Sequence, residues 1–330
     1  MIPMDKRPKI ETYLRQNIII ILVLVLLVLL FYFLNPNFLN RYNIVSMAQS
    51  LAPYAIMGLG VTFAIATGGI DLSIGTVCIA ASVVAGKLYT DGLIPLWSTI
   101  LIMILIGGFF GFINGILIAK CKLPAFIATL GTMMVSRGLS AIIVNEPNVF
   151  YPTGTWFNRL FSNYNGFPIG LFWVWGFMLI CMYLMYKNKI GRYVLSIGSN
   201  EEATRLSGIN TDKYKIIAYV ITGISAGVAA IFWSASFVTV ASATGNGMEL
   251  DAIAGVYIGG TSATGGGASV GGTIIGAIML VVIRSGLNFV LALLDISANS
   301  TYVTYVLTGI IVVLSVLIEV IKQNKIKKSV

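Results

Sequence analysis

Asp71, Arg137, Glu249, Asp251 and Arg284 stand inside or at the edges of long apolar stretches of this 330-residue chain. An ionised side chain at the centre of a membrane helix costs roughly 2.5–3.5 kcal/mol on insertion scales, so such residues face a cavity or a partner. Asp71 follows Gly68-Gly69-Ile70 and precedes a new apolar run. It admits two roles. Asp71 or Ser73 can cap the free backbone N–H groups of a helix start, or Asp71 can line a path at a helix break. Asp251, with Glu249 beside it, carries the same ambiguity. Arg137 and Arg284 each suit a structural ion pair or a contact with a transported solute. Asn114, Thr129, Thr132 and Asn288 are neutral groups suited to a polar path, and hydrogen bonding between helices explains them equally. The candidate pathway is therefore Asp71, Ser73, Asn114, Thr129, Thr132, Arg137, Asp251 and Asn288.

Enzymatic constellations are missing from this set. The chain has no histidine, and its three cysteines, Cys78, Cys121 and Cys181, form no CxxC pair. Nucleophile–histidine pairs are excluded, and zinc or a disulfide framework is not expected. No GxxxxGK[ST] motif is present, so no ATP site of that kind is expected on this chain. No catalytic residue, metal or bound cofactor is expected. The run Gly265-Gly266-Gly267, followed by Gly271-Gly272, reads as a tight turn between two spans.

A second constellation is polar throughout. From Gly198 to Asn210 the chain reads Gly-Ser-Asn-Glu-Glu-Ala-Thr-Arg-Leu-Ser-Gly-Ile-Asn. Ser199 and Glu202 have the spacing of a capping box, and Gly208 suits a helix end. This predicts a two-turn helix outside the membrane, with Ala203 and Leu206 forming a small apolar face. Such a helix either packs on its own bundle or docks a partner. The candidate coupling residues are Gly198, Asn200, Glu201, Ala203, Ser207 and Gly208.

The elements that must hold these residues are membrane spans. Apolar residues make up 57% of the chain and charged residues 10%, far below the ~25% charged of a soluble domain. The run Ile18 to Leu34 is apolar throughout. A spanning helix needs about 20 such residues. Spans are expected near 18–34, 44–67, 70–88, 94–119, 124–145, 168–186, 215–241, 248–263, 268–294 and 301–321, about ten in all, giving an all-α integral membrane protein. Continuous runs without alternation argue against a barrel. The first run lacks a small-residue cleavage site and is followed by Asn35-Pro36, so it reads as a retained helix and not a signal peptide. Residues 268–294 are long for one helix and carry Arg284-Ser285-Gly286, which suggests a break there. The expected organisation is an N-terminal segment 1–17, one transmembrane domain 18–321 containing the loop 187–214, and a basic tail 322–330.

The net charge of +9 is distributed as cytoplasmic loops require. Lysine and arginine cluster before residue 16, at Lys120 and Lys122, from Lys187 to Lys215, and from Lys322 onward. The stretch from Glu146 to Pro168 carries only Glu146 and Arg159 as charges and suits the far side. By the positive-inside rule both termini are cytoplasmic, and nucleic acid is not implied. Glycine is abundant, 35 residues. Gly107, Gly108, Gly111 and Gly115, and later Gly271, Gly272 and Gly276, are spaced for close helix contact. A possible duplication relates Thr67–Leu72 to Met248–Ile253.

Several segments, in this order, resemble the permease family of ribose-type sugar ABC importers. They are Thr67-Gly68-Gly69-Ile70-Asp71-Leu72-Ser73-Ile74-Gly75, the run Pro124 to Met133 with Arg137-Gly138, the Gly198 to Gly208 loop, and Glu249 to Ala254 running into Gly259-Gly260-Thr261-Ser262 and Gly265-Gly266. They span most of residues 44–290. The resemblance implies a type II-like permease bundle in the bacterial cytoplasmic membrane, paired with a second permease copy. It also implies a cytoplasmic ATPase that holds the ATP and magnesium, and an extracytoplasmic sugar-binding protein. The family's loop helix sits in the ATPase groove, which corresponds to Asn200 to Ser207 here. Two departures leave the sugar open: Thr301-Tyr302-Val303-Thr304 stands where the family has Pro-aromatic-aromatic-Gln, and Arg284 where it more often has a neutral polar residue. The competing readings are an ion-coupled secondary transporter using Asp71 or Asp251, and an ABC permease for nucleosides or amino acids.

Overall fold

A computed structural model describes residues 10–144, 148–245 and 247–293, with Val303, Val306, Gly309, Ile310, Val313 and Leu317 beyond them. The chain forms helices α1 (Ile10–Leu34), α2 (Arg41–Ala66), α3 (Ile74–Thr90), α4 (Leu96–Ala119) and α5 (Ala125–Val144). A short strand β1 (Asn148–Phe150), α6 (Trp156–Phe161) and α7 (Gly170–Met182) follow. Then come α8 (Lys189–Ser199), α9 (Glu201–Leu206), α10 (Thr211–Phe237), β2 (Thr239–Ala241), α11 (Met248–Ile258) and α12 (Val270–Leu293). Among them 6 stretches are long and apolar enough to cross a membrane: α2, α4, α5, Gly170–Lys187, α10 and α12. Ile20–Leu34 and Ile74–Thr90 are shorter apolar stretches.

Burial explains the arrangement. Every residue from Ala55 to Ala66 of α2 is buried. These are mostly Ala, Gly, Val and Ile, small enough for neighbours to close in on all sides. α10 is the second central helix and packs along both α2 and α4. In lipid no hydrophobic force drives helices together, so close backbone approach matters. A Cβ on Gly107 would strike the Gly223 carbonyl oxygen, and one on Gly111 the Tyr219 carbonyl oxygen. Gly272 and Gly276 of α12 meet Gly259 and Gly255 at the end of α11 in the same way. Gly108 faces open packing, its nearest neighbour Ile224 Cγ1 at 3.5 Å. α1 is peripheral. It exposes Leu22, Leu26 and Phe33 and touches the bundle through Phe31, beside Phe38 and Val282.

Several sequence expectations are corrected. The expected span 248–263 is the 11-residue α11, about 16 Å at ~1.5 Å per residue and too short to cross a ~30 Å hydrocarbon core. The expected break at 284–286 is absent: α12 runs unbroken from Val270 to Leu293, and Gly286 leaves room on it for the Phe31 ring of α1. The all-α expectation holds; the one small addition is that β1 pairs antiparallel with β2, Val149 opposite Val240. Thr67–Leu72 is a turn, whereas Met248–Ile253 opens α11, so the proposed duplicates differ in local structure. The similarity lies in how α2 and α11 end, each followed by a left-handed glycine, Gly68 (φ +84) and Gly260 (φ +83). The tenth expected span, 301–321, and the tail 322–330 lie outside the described residues apart from the isolated positions above.

Candidate functional site

The chain unwinds between α2 and α3. Gly68 turns left-handed after Thr67, and residues 69–72 lie outside both helices before the Ser73 carbonyl accepts from Val77 N at 2.8 Å and opens α3. Asp71 is 2% exposed. Its Oδ1 accepts from Ser73 N at 2.9 Å and from Ser73 Oγ at 2.6 Å, so it braces the start of α3. Asn114 of α4 donates Nδ2–H to Ser73 Oγ at 2.9 Å and accepts from Thr132 Oγ1 of α5 at 2.7 Å. One turn further, Ser136 Oγ donates to Thr76 Oγ1 at 2.9 Å. The Ile70 carbonyl, freed by the break, accepts from Thr129 Oγ1 at 3.4 Å and Tyr219 OH at 3.5 Å. Five of the sequence candidates, Asp71, Ser73, Asn114, Thr129 and Thr132, are thus one polar belt through three helices. The belt carries no nucleophile–base pair, and among the described residues no three His, Cys, Asp or Glu side chains cluster to hold a metal.

The remaining candidates lie elsewhere. Arg137 is half-buried on α5, and Glu249 stands at the start of α11. Glu249 Oε1 accepts from Gly247 N at 3.3 Å, capping that start. Asp251 does not join Asp71. It is 3% exposed and forms an ion pair with Arg284, Nη2 to Oδ2 at 2.5 Å. Neither Asp251 oxygen has a well-aligned hydrogen bond, so charge carries the contact. Arg284 also donates Nη1–H to Tyr54 OH at 3.2 Å, with its guanidinium 5.5 Å from that ring's centroid. Asn288 lies one turn along on α12, exposed at a cavity of about 260 Å³ between α2, α10 and α12.

Sequence reasoning missed Tyr54, Trp233 and Phe237, which wall that cavity. Aromatic residues near the ends of spans read as interface anchors, and nothing in their spacing separates that role from a cavity wall.

The polar loop folds as two helices, α8 and α9. The expected capping box is replaced: Asn200, not Ser199, is the N-cap, its Oδ1 accepting from Ala203 N at 2.9 Å. Ser199 Oγ instead donates back to Leu195 O at 3.0 Å. Gly208 (φ +81) ends α9. Glu201 bonds Lys215 of α10 at 2.6 Å, and Arg205 bonds Glu202 at 2.6 Å, which raises the arginine pKa above its ordinary value. Thr204 faces inward, its Oγ1 2.8 Å from Ser196 Oγ. Ala203 and Ser207 face outward, as does Leu206, which is 80% exposed. Gly198 lies against the last carbonyl of α2: a Cβ there would strike Ala66 O and Gly266 N. Gly266 N itself donates to Ala66 O at 3.0 Å. One contact therefore joins the loop helices, the end of α2 and the glycine turn before α12.

The family described as "Branched-chain amino acid transport system / permease component" matches residues 43–316. The chain belongs to that family. The permease is 35% identical over 298 residues to the ribose import permease protein RbsC of Escherichia coli (strain K12), covering 88% of this chain and 89% of the relative. It is 34% identical over 289 residues to RbsC of Bacillus subtilis (strain 168), covering 87% of each. The D-allose transport system permease protein AlsC of Escherichia coli (strain K12) is 30% identical over 275 residues, 83% of the permease and 82% of the relative. No solved structure matches it. The matched region contains the belt, the α8–α9 loop and the cavity, so all three belong to the permease unit itself.

Proposed function

We propose that this chain is the transmembrane subunit of an ATP-binding-cassette importer that carries one monosaccharide, pentose or hexose, across the bacterial cytoplasmic membrane. The observation that carries this is the 35% identity to a ribose import permease over 88% of the chain. The bundle is of the type II-like kind, lies in the lipid bilayer and has both termini in the cytoplasm. The α8–α9 loop faces the cytoplasm and the β-ribbon faces outside. The partners are a cytoplasmic ATPase that holds ATP and magnesium, an extracytoplasmic sugar-binding protein and a second permease copy; nucleic acid has no part.

α9 is the docking element. Its exposed Ala203, Leu206 and Ser207 meet the ATPase, while Glu201 and Thr204 tie it to the bundle. Gly198 passes movement of that helix to the end of α2 and the break that follows it. ATP binding shifts the bundle between outward- and inward-open states only as far as it favours one of them. The Asp71–Asn114–Thr132 belt and the Asp251–Arg284 pair are the polar groups of the path.

The description of the matched family favours a second reading, an amino-acid permease. Reconstitution decides. Liposomes holding the permease, its ATPase and its binding protein should take up a pentose or hexose only with ATP inside the ATPase compartment. Uptake of leucine without any sugar would select the second reading. Uptake by the permease alone under an ion gradient would overturn both.

A further inference from the structure

Lys187, Lys189 and Arg192 are all exposed, and none of them forms an ion pair among the described residues. From Lys187 to Asn200 the chain holds no acid. The acids that follow are already taken: Glu201 by Lys215, Glu202 by Arg205 and Asp212 by Lys122. Three positive charges therefore stand on one short segment without a counter-charge.

Packing fixes their depth. Lys187 ends the apolar stretch Gly170–Lys187, whose last turn, Tyr183–Lys187, is π-helical. α8 does not run on from that turn into water. It folds back on it, so that a Cβ on Gly191 would strike the Met185 carbonyl oxygen. Val194 and Ile197 are buried along with Gly191, and the Tyr193 ring meets Tyr214 of α10 edge-on at 4.6 Å. Lys189 and Arg192 flank Gly191, so both are kept level with the last turn of the span. In a bilayer that level is the headgroup layer.

The surface beside the cations is apolar. Leu179, Ile180 and Tyr183, one to two turns before Lys187, are exposed. A lipid-facing helix ends in this way, with tyrosine at the border and lysine or arginine beyond it. An anionic surface attracts cations placed there. A free phosphate would use the charges alone; a phospholipid uses the charges and the apolar face together. The ATPase is the rival occupant, but the exposed Ala203, Leu206 and Ser207 offered to it lie on α9 and are uncharged.

We propose that the elbow between the span Gly170–Lys187 and α8 binds an anionic phospholipid of the cytoplasmic leaflet. Lys187, Lys189 and Arg192 hold its headgroup, and its acyl chains run along Leu179, Ile180 and Tyr183. The choice of leaflet rests on the cytoplasmic placement of the loop proposed above; the binding itself does not.

Equilibrium binding of phosphatidylglycerol to the full-length permease in neutral detergent, followed by native mass spectrometry, tests the site. Phosphatidylcholine and inorganic phosphate are the comparison probes. Each cation near an anionic surface contributes about fivefold in binding. Lys189→Gln alone should weaken phosphatidylglycerol binding by about fivefold. Lys187→Gln, Lys189→Gln and Arg192→Gln together should weaken it by about 100-fold and leave phosphatidylcholine unchanged. The charge-keeping set Lys187→Arg, Lys189→Arg and Arg192→Lys should bind as wild type. Lys322→Gln, Lys325→Gln and Lys327→Gln remove the same charge from the tail and should also bind as wild type. Equal losses in the tail and elbow variants, or an unchanged triple glutamine variant, overturn the site. Inorganic phosphate that displaces phosphatidylglycerol at equal concentration overturns the lipid as its occupant. So does a triple glutamine variant that keeps phosphatidylglycerol but no longer pulls down the ATPase. Cys121 is exposed beside Lys122; its labelling by an impermeant maleimide from outside right-side-out vesicles would overturn the cytoplasmic placement and leave the lipid site standing.

Discussion

Removing one partner of the Asp251–Arg284 pair should have unequal effects depending on which is removed. Asp251 is 3% exposed, whereas the Arg284 side chain is 26% exposed at the cavity. In Arg284→Gln the carboxylate stays buried, and among the described residues no other cation reaches it. Breaking a buried pair in this way costs about 3–5 kcal/mol. In Asp251→Asn the guanidinium keeps its hydrogen bond to Tyr54 and the face of that ring and can turn toward the cavity. Its cost should be about 1–2 kcal/mol, that of one lost charged contact. The double variant places two neutral amides in the same space and should lie closer to wild type than Arg284→Gln alone. The coupling energy should therefore be about 2–3 kcal/mol and of the sign of a rescue. Reversible unfolding of the purified permease in mixed micelles, by denaturing detergent, measures all four corners of this cycle. The reasoning fails if Arg284→Gln is no worse than Asp251→Asn, or if the two losses simply add.

Other outcomes follow from particular contacts. Gly198→Ala drives a methyl group into the backbone at Ala66 and Gly266, where no side chain can give way. Overpacking of about 1–3 kcal/mol should lower both the unfolding midpoint and ATP-driven uptake; unchanged uptake would detach the loop from α2. Gly111→Val should separate α4 from α10 and lower stability by a similar amount, whereas Gly108→Ala should be tolerated, and equal losses in the two would contradict the helix interface. Ala203→Arg on the exposed face of α9 should leave the permease folded in the membrane but unable to pull down its ATPase, and normal assembly would remove α9 from the docking surface. Thr132→Val leaves Asn114 Oδ1 without its 2.7 Å donor and should cost about 1–3 kcal/mol, read as a lower unfolding midpoint.

Much of this was legible in one dimension. Apolar runs long enough to cross a bilayer locate most of the spans, because in lipid a segment must satisfy its own backbone and helices do so locally. The Gly68-Gly69-Ile70-Asp71 stretch marked a break, since two adjacent glycines and an acid stand together between two apolar runs. Gly208 marked the end of α9, and of the expected contact face Gly107, Gly108, Gly111 and Gly115, Gly108 alone lies off the close backbone contact. Boundaries that depend on competition between neighbours were less legible. Asn200 took the cap from Ser199, and α11 stopped at Ile258, where Gly259-Gly260-Thr261-Ser262 cuts the expected span short.

Composition and local pattern thus determined that this is a mainly helical membrane chain with a broken segment at Asp71 and a polar loop helix outside the spans. Tertiary structure decided which buried groups face one another. Asp71 and Asp251 look alike in sequence, each an acid beside a helix start. One is held by Ser73 on its own segment. The other is held by Arg284, from a different helix. The first contact is two residues away and follows from local geometry. The second depends on how α11, α12 and α2 pack together, and no local pattern carries that information.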